Sequence, residues 1–368
     1  MTKIYLIRHA EAEGNLYRIA QGQHESLITD RGFRQIDALR RRFDGVEIDG
    51  VYSSDLYRTQ VTAGAIYIPR KLPLHLVPGL REICVGSWEQ KTWGEIARDD
   101  PEQMKNFSFH LDRWQVPGAE TPEQVRDRVL SAVRTIAREN EGKTVALFSH
   151  GCSIRILLAT LQGVGIDGIG RTPLGSNTAV SLLEADGDEL RVVYRDDVTH
   201  LTEDLTRKHS GKQVKPLDPG LIFTIPEAGE QAELLASWTA AAAKDCGCWP
   251  REVPDGAPAL LGWLDGKPVG AVRTDPDREA DRKRGWLPVF YVEPEYRCLG
   301  YGVQLLGQAV QYYRPLGREA LCVSLPEGSE TALRFFTDYS FHPTGEITAE
   351  GERVLEKDIA FRALPRFD

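Results

Sequence analysis

The chain has no apolar stretch long enough to span a bilayer, so a membrane role is not expected. It lacks a charged leader followed by an apolar segment and a small-residue cleavage site, and its first apolar run begins at Ile4. Export is therefore not expected. The six cysteines (Cys84, Cys152, Cys246, Cys248, Cys298 and Cys322) show no paired spacing. Cys246-Gly247-Cys248 is the one close pair, and it lacks the second half of a zinc site. All six are expected to be reduced thiols in a cytoplasmic protein. A basic excess is missing too. The net charge is −9, and residues 218–368 carry −8 of it. Neither half has the positive balance that a phosphate backbone requires, which disfavours nucleic acid as a partner. Internal repeats and low-complexity tracts are absent.

What is present is a soluble composition, 41% hydrophobic and 27% charged, over 368 residues. That length exceeds one ordinary core and suggests two domains. Up to about Tyr194, strand-like runs (4–7, 51–52, 72–77, 145–148) alternate with helical patterns. Residues 180–183 and 190–194 read as a hairpin around Asp186-Gly187-Asp188. Thr121-Pro122-Glu123-Gln124 is a capping box with proline at the first helical position. The helix it opens presents Val125, Val129, Val133 and Ile136 on one face. This alternation predicts an α/β domain with a mainly parallel sheet and helices on both faces. Polar residues 203–219 read as a linker between domains at 1–202 and 220–368. The second domain reads as α+β, with strands near 221–225, 259–264, 268–274, 286–292, 319–325 and 353–362. Its helices are expected near 229–244, 301–313 and 329–338.

Four segments of the first domain carry chemistry. Arg8-His9 closes the first strand. Arg58 follows Ser53-Ser54-Asp55-Leu56-Tyr57 in the first turns of a helix. Glu82 sits in the short apolar loop Leu80-Arg81-Glu82-Ile83. His150 closes the run Val145-Ala146-Leu147-Phe148-Ser149. Strand ends are where open α/β sheets place ligands. Two histidines, two arginines and a carboxylate are an inventory for phosphoryl transfer, in which positioning and charge stabilisation dominate. Arginine offers a planar, permanent cation to phosphate oxygens. A neutral imidazole attacks phosphorus, and a carboxylic acid protonates the leaving oxygen.

In order and spacing these segments resemble the histidine phosphatase superfamily, the phosphoglycerate-mutase-like fold, over about residues 2–200. The resemblance implies that His9 is the phospho-accepting nucleophile. It implies that Arg8, Arg58 and His150 form the phosphate pocket, and that Glu82 is the general acid and base. Asn15, Gln21 and Gly22 match the segment lining the phosphate site. Ala10 stands where the usual motif has glycine. No metal is expected. The moderate stretch from Trp88 to Val116 and the compact 151–177 resemble phosphatases of small phosphate esters, with a mutase as the alternative. Trp88, Trp93, Phe107, Phe109, His110 and Trp114 either wall the substrate pocket or pack over the sheet.

In the second domain, Leu287–Val292 reads as a strand, then comes Arg297-Cys298-Leu299-Gly300-Tyr301-Gly302, then a helix. Glycines between a strand and a helix let backbone amides approach an anion. The pattern Arg-x-x-Gly-x-Gly, with the later Phe335-Phe336…Tyr339-Ser340-Phe341, resembles GNAT-type N-acetyltransferases over about 221–363. The resemblance implies acetyl-CoA held by Val292, Arg297, Gly300, Tyr301 and Gly302, and an amine acceptor of unknown identity. Phe336 stands where the family often has a tyrosine acid, and Ser340 where it has glycine. Both an active transferase and a CoA-binding module without turnover fit this pattern.

Overall fold

The computed structural model describes residues 1–206, 220–246 and 257–362. The first sheet has six strands: β1 (Thr2–Arg8), β2 (Gly50–Ser53), β3 (Leu74–Leu76), β4 (Thr144–Ser149), β5 (Val180–Asp186) and β6 (Glu189–Asp197). Their spatial order is β3-β2-β4-β1-β5-β6. The first four in that order run parallel, and β5 and β6 are the antiparallel hairpin. Strand alternation splits the side chains between two cores. Ile4, Leu6, Val145 and Leu147 face the helices Pro122–Glu139 and Gly151–Leu161. Ile7, Ala146 and Phe148 face the helices Asp30–Arg42 and Tyr57–Arg70. The Thr121 hydroxyl accepts from Gln124 N, and Gln124 reciprocates, as the capping box predicts. With β1 and β4 adjacent and central, Arg8-His9 and His150 emerge side by side at one sheet edge.

The second sheet has seven strands: β7 (Ile222–Thr224), β8 (Ala259–Leu264), β9 (Lys267–Asp275), β10 (Arg284–Val292), β11 (Ala320–Leu325), β12 (His342–Ile347) and β13 (Arg353–Asp358). Their order is β12-β13-β11-β10-β9-β8-β7. The helix Glu230–Cys246 covers one face, where Trp238 meets Tyr291 with ring centroids 5.9 Å apart. The helix Gly302–Tyr313 covers the other. β12 was not expected. Its run His-Pro-Thr-Gly-Glu-Ile has no alternation, and it contains Pro343, which only an edge strand accommodates.

Two expectations change. Residues 203–206, read as the start of the linker, form a helical turn docked on the first domain. The Leu205 carbonyl there accepts from Arg31 Nη2 at 3.1 Å and Gln35 Nε2 at 3.0 Å. Residues 207–219 lie outside the described residues. The two domains are also not independent cores. Tyr17 and Ile19, from the first, are buried in one cluster with Val303, Leu305 and Leu306. A Cβ on Gly307 would come within 2.5 Å of the Tyr17 side chain, so only glycine allows this approach. Arg314 Nη2 reaches both Glu13 oxygens, at 3.1 and 3.0 Å, and the Ser340 hydroxyl donates to Asp30 at 2.6 Å.

Candidate active site

At the tip of β1, His9 is 3% exposed. Its Nδ1 lies 2.7 Å from the Ala10 carbonyl. A carbonyl only accepts, so Nδ1 carries the proton and Nε2 keeps its lone pair. Burial, then Arg58, then Arg8 hold His9 well below the ordinary imidazole value. His150, at the tip of β4, lies with its ring centroid 5.3 Å from that of His9. Its Nε2 is 2.9 Å from the Ser54 hydroxyl, and its Nδ1 is buried without a partner. Burial first, then Arg58 and His9, lower it as well.

Arg58 is 1% exposed, and burial pushes its guanidinium down to about 10. Its Nη1 donates to the His24 carbonyl (2.9 Å) and its Nη2 to the Gly22 carbonyl (2.7 Å). Arg8 Nη1 donates to the Gly175 carbonyl at 2.5 Å. The Nε of both arginines and Oε1 of Gln21 are buried with no protein partner. Buried polar groups normally find one, and here two of the orphans are guanidinium donors beside two neutral imidazoles. That donor set suits an anion with several oxygens.

Glu82 stands at the start of the helix Gly151–Leu161. Its Oε1 accepts from Ile83 N (3.0 Å), Ser153 N (2.9 Å) and Ser153 Oγ (3.2 Å), and its Oε2 accepts from Cys152 N (3.0 Å). Asn15 Oδ1 accepts from Ala12 N and from Asn177 Nδ2. The structure thus gathers Arg8, His9, Asn15, Gln21, Gly22, Arg58 and Glu82 around one cavity of about 500 Å³, with His150 against His9. Gly22 acts there through its carbonyl on Arg58.

Sequence reasoning missed three supports. Ser54 fixes His150 and was in view in the Ser53-Ser54 pair. Glu89 accepts from Gln23 N, His24 N and Val85 N, and so shapes the loop whose carbonyls hold Arg58. Asn177 donates to the His9 carbonyl at 3.0 Å, from a turn that carries no signal in the sequence. Of the six aromatic candidates, Trp93 and Phe107 line the cavity. Trp88 and Trp114 are 3% exposed and pack behind them, and Phe109 is exposed. Among the described residues no group of three or more His, Cys, Asp or Glu is placed to hold a metal, and no helix is long and apolar enough to cross a membrane.

In the second domain, β10 pairs with β11 only through Arg284–Trp286 and Ala320–Cys322, and their later halves diverge. The helix Gly302–Tyr313 begins beside this wedge. Gly300 has φ +83°, with nothing within 4 Å of where a Cβ would lie. Arg297 Nε donates to the Val292 carbonyl at 2.8 Å, which closes the turn. The Phe335 ring would sit 2.9 Å from a Cβ on Gly302, so a larger residue there displaces packing. Phe336 is enclosed by the rings of Phe290, Phe335 and Phe341.

Residues 4–198 match the family model of the histidine phosphatase superfamily (branch 1). The chain belongs to the histidine phosphatase superfamily. Residues 227–341 match the acetyltransferase (GNAT) family model, so the superfamily domain is joined here to a GNAT domain. A metal-independent phosphoserine phosphatase from Arabidopsis thaliana is 34% identical over 163 residues, 43% of this chain and 67% of that one. "Probable phosphoglycerate mutase GpmB" from Yersinia pestis (strain Pestoides F) is 30% identical over 164 residues, 45% of this chain and 76% of that one. The solved structure of Bacillus stearothermophilus YhfR superposes with a TM-score of 0.53 at 32% identity, over 54% of this chain and 99% of that one.

Proposed function

We propose that the first domain hydrolyses a small phosphate monoester through a phosphorylated His9. The observation that carries this reading is the Nδ1 contact to the Ala10 carbonyl, which leaves a neutral Nε2 beside two guanidiniums with unsatisfied Nε donors. Nε2 attacks phosphorus, and the N–P bond forms as the ester P–O bond breaks. The departing oxygen takes a proton from Glu82. Oε1 already accepts three bonds and Oε2 one, so Oε2 is the oxygen with capacity to carry that proton. Water then attacks phosphorus, gives its proton back to Glu82, and inorganic phosphate leaves as the N–P bond breaks. Arg8, Arg58 and His150 stabilise the phosphoryl oxygens throughout. The mechanism calls for no metal, and activity is expected to survive chelation.

Rapid quenching under neutral conditions, followed by mass spectrometry, tests this. Phosphate is expected on His9. Phosphate on another residue, or full activity in His9→Ala, contradicts the mechanism. The resemblance to a mutase favours a second reading, in which the phosphoryl group returns to a sugar acid. Release of inorganic phosphate in the absence of any acceptor decides against it.

For the second domain we propose that acetyl-CoA binds at the turn Arg297–Gly302. The open wedge and the left-handed Gly300 support this, because backbone amides at the start of the helix can then face a pyrophosphate. Val292 ends the strand before that turn, and Tyr301 lies within it. When bound, acetyl-CoA supplies the activated acyl group for an amine. Phe336 offers no proton to the departing thiolate. Calorimetry with acetyl-CoA on the whole chain tests binding. If binding occurs without acetylation of any amine, Phe336→Tyr is the substitution that should restore a proton donor.

A further inference from the structure

The cavity at His9 does not end within the first domain. Its lining continues from Trp93 and Phe107 to Leu299, Gly300 and Gln304 of the second. That continuity is built. Gln304 accepts from Leu221 N at 2.8 Å and donates to the Gly300 carbonyl at 3.3 Å, so the turn is tied to β7. The helix behind it presses Gly307 onto Tyr17 and pairs Arg314 with Glu13, on the short helix that also carries Asn15. On another wall, the Thr92 hydroxyl reaches the Leu221 carbonyl at 3.4 Å, one residue before Trp93. At about 500 Å³ the chamber is far larger than a phosphoryl group and lies in the range of small-molecule sites. Arg8, His9 and Arg58 occupy one part of it, while Trp93, Phe107 and Leu299 present apolar surface elsewhere.

We propose that Leu299 and the turn to Gln304 are a specificity wall of the phosphatase chamber. The phosphate ester then has an extended, partly apolar leaving group that is read by the second domain. This rests on the reading of His9 as the phosphate-ester site. It does not require that the second domain bind acetyl-CoA.

The test uses the full chain carrying His9→Ala, so that esters bind without turnover. Two probes, 4-nitrophenyl phosphate and the longer naphthol AS-BI phosphate, are compared by calorimetry. The longer ester is expected to bind at least tenfold more tightly. Adding Leu299→Trp, which fills the chamber, is expected to remove that preference. Leu299→Ala, which enlarges it, is expected to keep the preference. Binding of the short ester reports in each sample that the phosphate pocket is intact. A preference unchanged by Leu299→Trp, or lost equally in both variants, overturns the proposal. Failure of the wild-type chain to hydrolyse either ester would count against the His9 mechanism instead, while the calorimetry still decides the wall.

Discussion

The two candidate sites are built on opposite principles. Around His9 the working groups are side chains, and the backbone holds three of them: Arg8 by Gly175, Arg58 by Gly22 and His24, His9 by Ala10. In the second domain the backbone itself is the expected working group, and side chains such as Phe336 are packing. A side-chain site is specified by residue identity at a few positions. A backbone site is specified by shape, for which many sequences suffice. The same residues therefore speak strongly about chemistry at the first site and weakly at the second.

The comparison is most exposed at Glu82. Glu82→Gln keeps the shape and removes the proton. Its kcat is expected to fall by about 10²–10⁴ for an alkyl phosphate and less for an activated aryl phosphate. Equal losses on both substrates would make Glu82 a structural residue like those of the second domain. A smaller effect concerns the contact between the two regions. Arg314→Ala leaves Glu13, with a side chain 8% exposed, without its cation. A stability loss of about 3 kcal/mol is expected in urea denaturation. A loss near zero would show that the interface contributes nothing and that the domains behave separately.

The third expectation is gradual. His9 and His150 have folded-state values below their unfolded ones, mainly through burial. The unfolded chain therefore binds more protons as pH falls below the ordinary histidine value. Stability is then retained above about pH 6.5 and declines progressively below it. Melting temperatures at pH 7.5 and pH 5 check this, and His150→Gln should flatten part of the difference. The same cause keeps His9 unprotonated, so the acid limb of kcat/KM is expected to lie below pH 6.5. A limb at or above that value would place His9 in a solvated environment.

Much of this was legible in the chain. Strand-end residues Arg8, His9 and His150 converge because β1 and β4 are neighbours, and apolar runs ending in polar residues announce that. The strands of the second domain were readable from their turns, apart from β12, whose proline and glycine hide it. Ser54, Glu89 and Asn177 were not assigned roles because each acts on another residue, through contacts spanning between 65 and 168 positions of chain. The interface was invisible for a related reason. Tyr17 and Gly307 look like ordinary helix residues, and nothing local says that they meet.

That close approach bears on how the chain is made. Residues up to 206 leave the ribosome before the helix Gly302–Tyr313 exists. At roughly 5–20 residues per second, the interval lasts roughly 5–20 s. Throughout it, the Tyr17 ring and the Glu13 carboxylate have no cover, although the strands that end in Arg8-His9 and His150 are already complete. A nascent chain in that state exposes a sticky face beside a nearly finished pocket, and the arrival of the helix Gly302–Tyr313 is what seals it.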